Sequence, residues 1–173
     1  TATGTDNATA DAVAPTLTSG NISVSGGSGS GGVFIIGDTI SVVWDNSGSG
    51  DNNSDTIAGV TVDFTPFGGG SAVAASESAG IWTAIFAVTA GTGDTGDDIE
   101  VTATDDAGNT MLATDTSDPN LDTTAPDVTI TSDTSSLISG QTATLTFDFT
   151  ENVVGFEDSD ITTTGGTLSS VTM

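Results

Sequence analysis

The chain has 173 residues, of which 24 are Asp or Glu, and it contains no Lys, Arg or His, so its formal net charge is −24. The lack of cationic side chains excludes nucleic acid as a partner, because phosphate contacts need them, and an anionic membrane surface would repel the chain. Repulsion on this scale destabilises a compact state unless counter-ions bind, which favours a divalent cation as a partner. The chain has no Cys, and no apolar run reaches the ~18 residues of a membrane span.

Short segments in which apolar and polar residues alternate recur along the chain, separated by turn residues. Alternation predicts half-buried β-strands, and regular strand spacing without a capped helical period predicts an all-β sandwich of the Ig type. In the first two thirds of the chain, the predicted strands are 16–24, 33–44, 60–64, 71–75, 81–89 and 99–103. Ile81 and Ile85 lie on the face opposite Trp82, so strand 81–89 is expected to be partly buried on both sides.

The strand pattern restarts after Pro126, which occupies the same place in its linker as Pro15 does about 110 residues earlier, a spacing typical of one sandwich domain. The strongest strand of the second pattern, 140–149, matches 37–45 position for position. Residues 111–120 are interpreted as an insertion in the second linker. The pattern predicts a tandem array with the end of a preceding repeat at 1–15, a complete Ig-like domain at 16–122 and the first half of another at 123–173.

The second half of the chain also carries a series of specific motifs. They include Thr124-Ala-Pro-Asp-Val-Thr-Ile-Thr-Ser132, Gly140-Gln-Thr-Ala-Thr-Leu-Thr-Phe147, Val154-Gly-Phe156 and Gly166-Thr-Leu-Ser169, preceded by Gly80-Ile-Trp-Thr-Ala84 and Val101-Thr-Ala-Thr-Asp-Asp-Ala-Gly-Asn109. This set resembles the bacterial Ig-like repeats of giant surface adhesins and biofilm-associated proteins, whereas residues 16–77 match that pattern poorly. The resemblance implies antiparallel Greek-key sheets, an extracellular cell-surface location and rods of domains whose junctions calcium often stiffens.

Oxygen-donor side chains concentrate where the turn 105–109 is followed by the linker 121–127. They are Asp105, Asp106, Asn109, Asp122 and Asp127. Calcium takes six to eight oxygen ligands, so a turn that folds back on the linker would suit it, whereas magnesium needs a rigid octahedron. Zinc is disfavoured because its usual His and Cys ligands are missing. Solvated Asx turns are the alternative interpretation, and the resemblance favours calcium.

Three other acidic groups are weaker candidates or are interpreted as solvated loops. The first linker offers Asp6, Asn7 and Asp11 as a second calcium candidate, and the Gly-rich turn offers Asp94, Asp97 and Asp98 as a third. A solvated turn is the favoured interpretation of the Gly-rich group, because runs of like charge usually face water. Asp45, Asp51 and Asp55, in the long polar loop, are interpreted in the same way.

The missing residue types also exclude most catalysis. Without His, Cys, Lys, Arg or Tyr, only a carboxylate pair of the glycosidase type remains, and no pair is distinguished from the acidic background. The leading hypothesis is therefore a non-catalytic structural repeat of an extracellular adhesin or stalk. Its partners would be neighbouring Ig-like repeats and a cell-surface or polysaccharide target.

Two other functions remain open at this level. The chain would be the subunit of a self-assembling extracellular filament or surface layer if strands exchanged between identical subunits complete the half domain. It would be a carbohydrate-binding sandwich if Trp44 and Trp82 stacked on sugar rings. Core packing is the favoured role for both Trp residues, because each lies on the apolar face of a strand.

Overall fold

The computed structural model describes residues 10–89 and 98–172, and the chain divides into two compact units, Thr1–Thr124 and Ala125–Met173. Every regular element among the described residues is a β-strand or a three-residue 3₁₀ turn. The strands are β1 (Ile22–Ser25), β2 (Phe34–Ile35), β3 (Thr39–Asp45), β4 (Ile57–Asp63), β5 (Val73–Ala74), β6 (Ser76–Ser78), β7 (Ile81–Ala87), β8 (Glu100–Asp105), β9 (Thr110–Thr114), β10 (Leu121–Asp122), β11 (Val128–Ser132) and β12 (Leu145–Phe149). The predicted all-β class is confirmed.

The first unit is a sandwich of two four-stranded antiparallel sheets. One sheet has the strand order β1-β3-β7-β6 and the other has the order β5-β4-β8-β9. This is the strand order of an Ig-like sandwich. Along the chain, β1 and β3 lie in the first sheet, β4 and β5 in the second, β6 and β7 in the first, and β8 and β9 in the second. A short parallel pair, β2 with β10, adds Leu121 and Asp122 beside Phe34 and Ile35.

Alternation along the central strands builds the core between the sheets. On β3, Ile40, Val42 and Trp44 are at most 1% exposed, and they face the inner residues of β4 and β8. The buried apolar residues contributed by β4 and β8 are Val60, Val62, Val101 and Ala103. The expected apolar faces of these strands are therefore confirmed, since a period of two places every second side chain on the same side.

Aromatic side chains close one end of the core. The Phe64 ring stacks on Phe86 with centroids 5.5 Å apart, and Phe67 meets Phe34 edge to face at 5.9 Å. Phe67 follows Pro66 in the 3₁₀ turn after β4, and this turn places the Phe67 side chain in the core. Gly69 is required here, because a Cβ at this position would lie 2.6 Å from Cβ of Phe64.

The second unit contains one antiparallel pair, β11 with β12, in the register Val128 to Phe149 and Ser132 to Leu145. The Phe156 ring packs on Phe147 and Phe149, with centroid distances of 5.2 and 5.1 Å. Several apolar side chains of this unit are exposed, namely Ile130, Leu137, Ile138, Leu145 and Val154. The strand predicted at 140–149 is shorter than expected, because its pairing with β11 begins only at Leu145.

Two predicted strands are interrupted by turns in the structure. Within 16–24, only the part from Ile22 pairs with β3, since Ser19–Asn21 forms a 3₁₀ turn that interrupts the extended chain. The predicted strand 33–44 is divided into β2 and β3 by a turn at Gly37, whose φ of +96° suits glycine.

Two further expectations were wrong. Residues 111–120 are not a simple insertion in the linker, because Thr110–Thr114 forms the edge strand β9 and pairs with β8. An edge strand can leave Met111 and Leu112 exposed, so it lacks the clear alternation of a central strand. Ile85 on β7 is 63% exposed, and burial on both faces of this strand is therefore incorrect at that position.

We predict that Phe67→Ala lowers the free energy of unfolding of the first unit by about 3–5 kcal/mol, because it removes a fully buried ring. Urea denaturation followed by Trp fluorescence reports this unit, since both Trp residues lie within it. The control Ile85→Ala, on the exposed face, should change stability by less than about 0.5 kcal/mol. Equal losses in the two variants would contradict the core described above.

Candidate cation-binding site

Three carboxylates meet at the end of the first unit where β8 finishes. Asp11 comes from the first linker, Asp55 from the long β3–β4 loop, and Asp105 from the last position of β8. One oxygen of each carboxylate lies within 4.8 Å of the others, and Asp105 is buried while Asp11 and Asp55 are exposed. Among the described residues, this is the single group of three or more acidic side chains with such geometry. We call it the carboxylate triad.

Asp105 is fixed by the turn that joins β8 to β9. Its Oδ1 accepts hydrogen bonds from the amides of Ala107 and Asn109, at 3.0 and 2.7 Å. Its Oδ2 accepts one from Asn109 Nδ2 at 2.9 Å. Burial raises the pKa of Asp105, but these bonds and one involving the amide of Gly108 outweigh it and hold the pKa below its ordinary value. The buried carboxylate is therefore ionised at neutral pH and oriented towards the linker.

Asp55 has the opposite electrostatic environment. The hydrogen bond from the Thr56 amide lowers its pKa, but contact with the Asp11 carboxyl, partial loss of solvation and repulsion from Asp11 and Asp106 together raise it. A raised carboxyl pKa means that the charged form is disfavoured where it stands. The triad therefore concentrates negative charge that the protein does not itself neutralise.

The structure divides the residues of the predicted junction site. Asn109 and Asp106 lie beside the triad: Asn109 Nδ2 also donates to the Val13 carbonyl at 3.3 Å, and the Asp106 amide donates to the Thr56 carbonyl at 3.1 Å. Asp122 does not join them, because β10 pairs with β2 at the end of the sandwich where β8 begins. The length of β8, roughly 16 Å, separates the two ends.

Asp127 lies in the second unit. Its Oδ1 accepts a hydrogen bond from the Val128 amide at 2.9 Å, and its own amide donates to Thr150 Oγ1 at 2.9 Å. Asp122 makes a similar local contact, accepting from the Thr124 amide at 3.1 Å. Both carboxylates therefore take part in local turns around the second linker.

The two weaker candidate groups fall partly outside the described residues. In the first group, Asp6 and Asn7 lie outside the described residues, whereas Asp11 is described and belongs to the triad. Asp94 and Asp97 also lie outside the described residues, and Asp98 is exposed. The prediction for the Gly-rich turn therefore stays a prediction.

The β3–β4 loop also holds a hydrogen-bonded carboxylate that the sequence analysis does not predict. Asp51 was interpreted as solvated, yet its carboxylate accepts from Trp44 Nε1 at 2.7 Å, from the Thr18 amide at 2.9 Å and from Asn21 Nδ2 at 2.8 Å. Burial raises the pKa of Asp51, but the bonds from Thr18, Trp44 and Asn21 lower it below the ordinary value of 3.8. Asp51 thus connects the buried indole with the segment that follows the first linker.

Two more carboxylates fix loops in the same manner. Asp38 accepts from the amides of Ile35 and Ser28, and these bonds outweigh burial and lower its pKa. Asp115 is 2% exposed and accepts from the Ile99 amide at 2.8 Å and from Ser117. No sequence signal distinguishes these residues from the other Asp residues of the chain, because their donors are backbone amides distant in sequence or in turns.

The family comparison concerns the second unit and the residues just before it. Residues 122–173 match the profile of the bacterial Ig-like domain family. No similar curated protein and no similar solved structure is found. Domains of this family are typically non-catalytic and are commonly extracellular surface modules. Within the part of the chain that the structure describes, no helix is long and apolar enough to cross a membrane.

We predict that the Asp51 hydrogen bonds stabilise the first unit at neutral pH and are lost in acid. A carboxyl group whose pKa is lower in the folded than in the unfolded chain stabilises the fold above its ordinary pKa of 3.8 and loses this effect as pH falls through the folded value. Asp51→Asn should therefore be clearly less stable than the original protein at pH 7, with the difference shrinking below about pH 4.

Urea unfolding at several pH values between about 2 and 7 measures this difference. The control Asp118→Asn makes the same charge change at an exposed residue with a φ of +47°, which Asn tolerates. It should leave stability close to that of the original protein at every pH. A difference between the Asp51→Asn variant and the original protein that is constant from pH 7 to pH 2 would contradict the assignment.

Proposed function

We propose that this chain is a non-catalytic structural module of a bacterial surface adhesin or stalk, with calcium stiffening the connection between linker and domain. The Ig-like strand order and the family match of residues 122–173 support a structural surface module. The observation that carries the calcium proposal is the carboxylate triad, in which a linker residue, Asp11, meets two residues of the domain that follows it. A cation bound there would tie the linker to that domain.

The free oxygen lone pairs of the triad suit a hard cation. Asp105 already accepts two bonds at Oδ1 and one at Oδ2, so it keeps one position for a ligand on Oδ2. Asp11 and Asp55 each accept one short-range bond, from Val13 and Thr56, and keep their remaining lone pairs. Three carboxylates leave about three or more positions of a calcium shell to water or carbonyl oxygens. Such a site would have the modest, millimolar-range affinity of extracellular modules.

The two linkers place their acidic residues in the same way. Asp122 stands as far before Pro126 as Asp11 stands before Pro15. Asp122 is therefore the counterpart of Asp11, which explains why it does not lie near Asp105 within the first unit. The calcium set proposed for the first unit is Asp11, Asp55 and Asp105, with Asn109 as a positioning residue that orients Asp105.

We predict that millimolar Ca²⁺ raises the melting temperature of the first unit by about 3–6 °C, because a ligand that binds only the folded state stabilises it by mass action. Differential scanning calorimetry with Ca²⁺, with Mg²⁺ and with chelator measures the shift. Mg²⁺ should have a smaller effect, since it prefers a rigid octahedron. The absence of any shift with Ca²⁺ up to about ten millimolar would contradict the proposal.

The variant Asp55→Asn tests this proposal, because it should change the melting temperature in opposite directions in chelator and in Ca²⁺ relative to the original protein. In chelator it should melt above the original protein, because it removes a carboxylate whose charged form is disfavoured beside Asp11 and Asp106. In Ca²⁺ it should lose most of the calcium-dependent rise, because it removes a ligand. Asp118→Asn is the matched control: it changes the net charge equally at an exposed residue outside the triad and should keep the full calcium response.

A subunit of a filament completed by strand exchange is the second candidate function. The observation that favours it is the set of exposed apolar side chains on the second unit, with Ile130 57% and Leu145 45% exposed on the paired strands. Sedimentation velocity of the chain with and without Ca²⁺ distinguishes the two functions. Concentration-dependent polymers would favour the filament, and a monomer under both conditions would favour the adhesin or stalk.

The carbohydrate-binding alternative receives less support from the first unit. Trp44 is 1% exposed and donates its indole N–H to Asp51, so its faces are not available for stacking on a sugar. Trp82 is half-buried and packs against the core. Quenching of Trp fluorescence by added oligosaccharides would restore this alternative.

A further inference from the structure

The residue that follows the linker proline is held unusually completely in the first unit. The Thr16 amide donates to Asn53 Oδ1 at 2.7 Å, and the Thr16 carbonyl accepts from Asn53 Nδ2 at 2.7 Å. A single side-chain amide thus provides the acceptor and the donor that a neighbouring β-strand would otherwise supply. Two residues later, the Thr18 amide and hydroxyl donate to the Asp51 carboxylate at 2.9 and 2.6 Å.

The β3–β4 loop is built to present these two side chains. Asn46 Oδ1 accepts from both the amide and the side chain of Asn53, at 2.9 and 2.7 Å, which fixes the Asn53 rotamer. The Asp51 amide donates to the Asp45 carbonyl at 3.0 Å and closes the loop on the end of β3. Gly50 permits this closure, since a Cβ there would lie 2.1 Å from the Asp45 carbonyl oxygen.

The local chain geometry explains why side chains are needed here. The 3₁₀ turn Ser19–Asn21 delays strand pairing until Ile22, so residues 16–18 have no backbone partner in the β1–β3 ladder. Their N–H and C=O groups lie beside Pro15 and Leu17, which are both buried. Polar backbone groups next to buried residues need partners. The loop supplies them for the amide and carbonyl of Thr16 and for the amide of Thr18, and the Asn21 amide donates to the Thr18 carbonyl at 3.0 Å.

The second unit reaches the same result without a long loop. Asp127 follows Pro126, as Thr16 follows Pro15. The Asp127 amide donates to Thr150 Oγ1 at 2.9 Å, and its carbonyl accepts from the Thr150 amide at 3.0 Å. The β11–β12 ladder begins at the next pair, Val128 with Phe149. Both units therefore hold the N–H and the C=O of the residue after the linker proline, by different chemical groups.

We infer that the β3–β4 loop is a linker clamp, in which Asn53 and Asp51 hold Thr16 and Thr18 as part of the first domain. The clamp sets the direction in which the chain passes from Pro15 into the domain. It uses hydrogen bonds only, so it operates without a cation and does not rest on the proposed calcium site.

Amide hydrogen exchange of the whole chain, measured by NMR in the presence of chelator, tests the clamp. In the original protein, the Thr16 and Thr18 amides should exchange far more slowly than in an unstructured peptide. Asn53→Ala should speed exchange at Thr16 by about tenfold or more, since it removes the acceptor of that amide. The Val42 amide in the core strand β3 should keep its exchange rate.

Two further variants separate the clamp from a general loss of structure. Asn53→Asp keeps an acceptor for the Thr16 amide but loses the donor to its carbonyl, so Thr16 should stay protected better than in Asn53→Ala. Asn52→Gly is the matched control: Asn52 is exposed with a φ of +48°, which glycine accepts, and it should leave Thr16 exchange unchanged.

Three results would overturn the inference. One is a Thr16 amide that exchanges at the rate of an unstructured peptide in the original protein. Another is an exchange rate at Thr16 that is the same in Asn53→Ala, Asn53→Asp and the original protein. The third is equal acceleration by Asn52→Gly. A loss of calcium-dependent stabilisation with slow Thr16 exchange preserved would refute the calcium site and leave the clamp intact.

Discussion

The structure depends on how a chain with 24 carboxylates and no cationic side chain satisfies them. No carboxylate can form a salt bridge with a side chain, so each ordered one relies on N–H or O–H donors, on water or on an external ion. Among the described residues, every buried side-chain nitrogen or oxygen has a hydrogen-bond partner. The donors to Asp38 and Asp105 are mostly backbone amides, whereas those to Asp51 are mostly side chains. All three carboxylates mark points where loops are fixed to the sheets.

This constraint produces two different kinds of acidic residue. Where amides and hydroxyls surround the carboxylate, as at Asp51 and Asp105, the pKa is lowered and the charge helps to hold the fold. Where carboxylates face one another, as at Asp11 and Asp55, the bond from the Thr56 amide is outweighed by the contact between the two carboxyls, by desolvation and by repulsion, which together raise the pKa of Asp55. The first kind holds loops to the sheets, and the second is the basis of the calcium site proposed above.

Both kinds meet where the first linker joins its domain. The carboxylate triad includes Asp11, which precedes Pro15 in the linker. Asn53 and Asp51 instead bind Thr16 and Thr18, which follow Pro15. The long polar loop between β3 and β4 contributes to both, through Asp55 at its end and through Asp51 and Asn53 within it. A segment without strand signals thus contacts both the linker and the start of the domain, as the structural module proposed above requires.

The central strands could be predicted from the sequence because their signal is local. In β3, β4 and β8, the alternation of apolar and polar residues is enough to predict the buried face, and Ile40, Val62 and Val101 lie on it. Edge strand β9 was not predicted, because Met111 and Leu112 are both exposed and the strand therefore lacks an alternation of buried and exposed residues. The exposure of Ile85 also depended on what covers the sheet, and alternation within one strand contains no information about that.

The candidate site shows the same limit more strongly. The sequence by itself determined the all-β class and the absence of the usual catalytic residue types, because composition and period are properties of the chain alone. Only the tertiary structure decided which carboxylates meet: Asp105 lies with Asp11 and Asp55, and Asp122 lies at the far end of β8. The physical reason is that a strand carries neighbours in sequence to opposite ends of the sandwich, while strand pairing brings residues from distant loops together at one end.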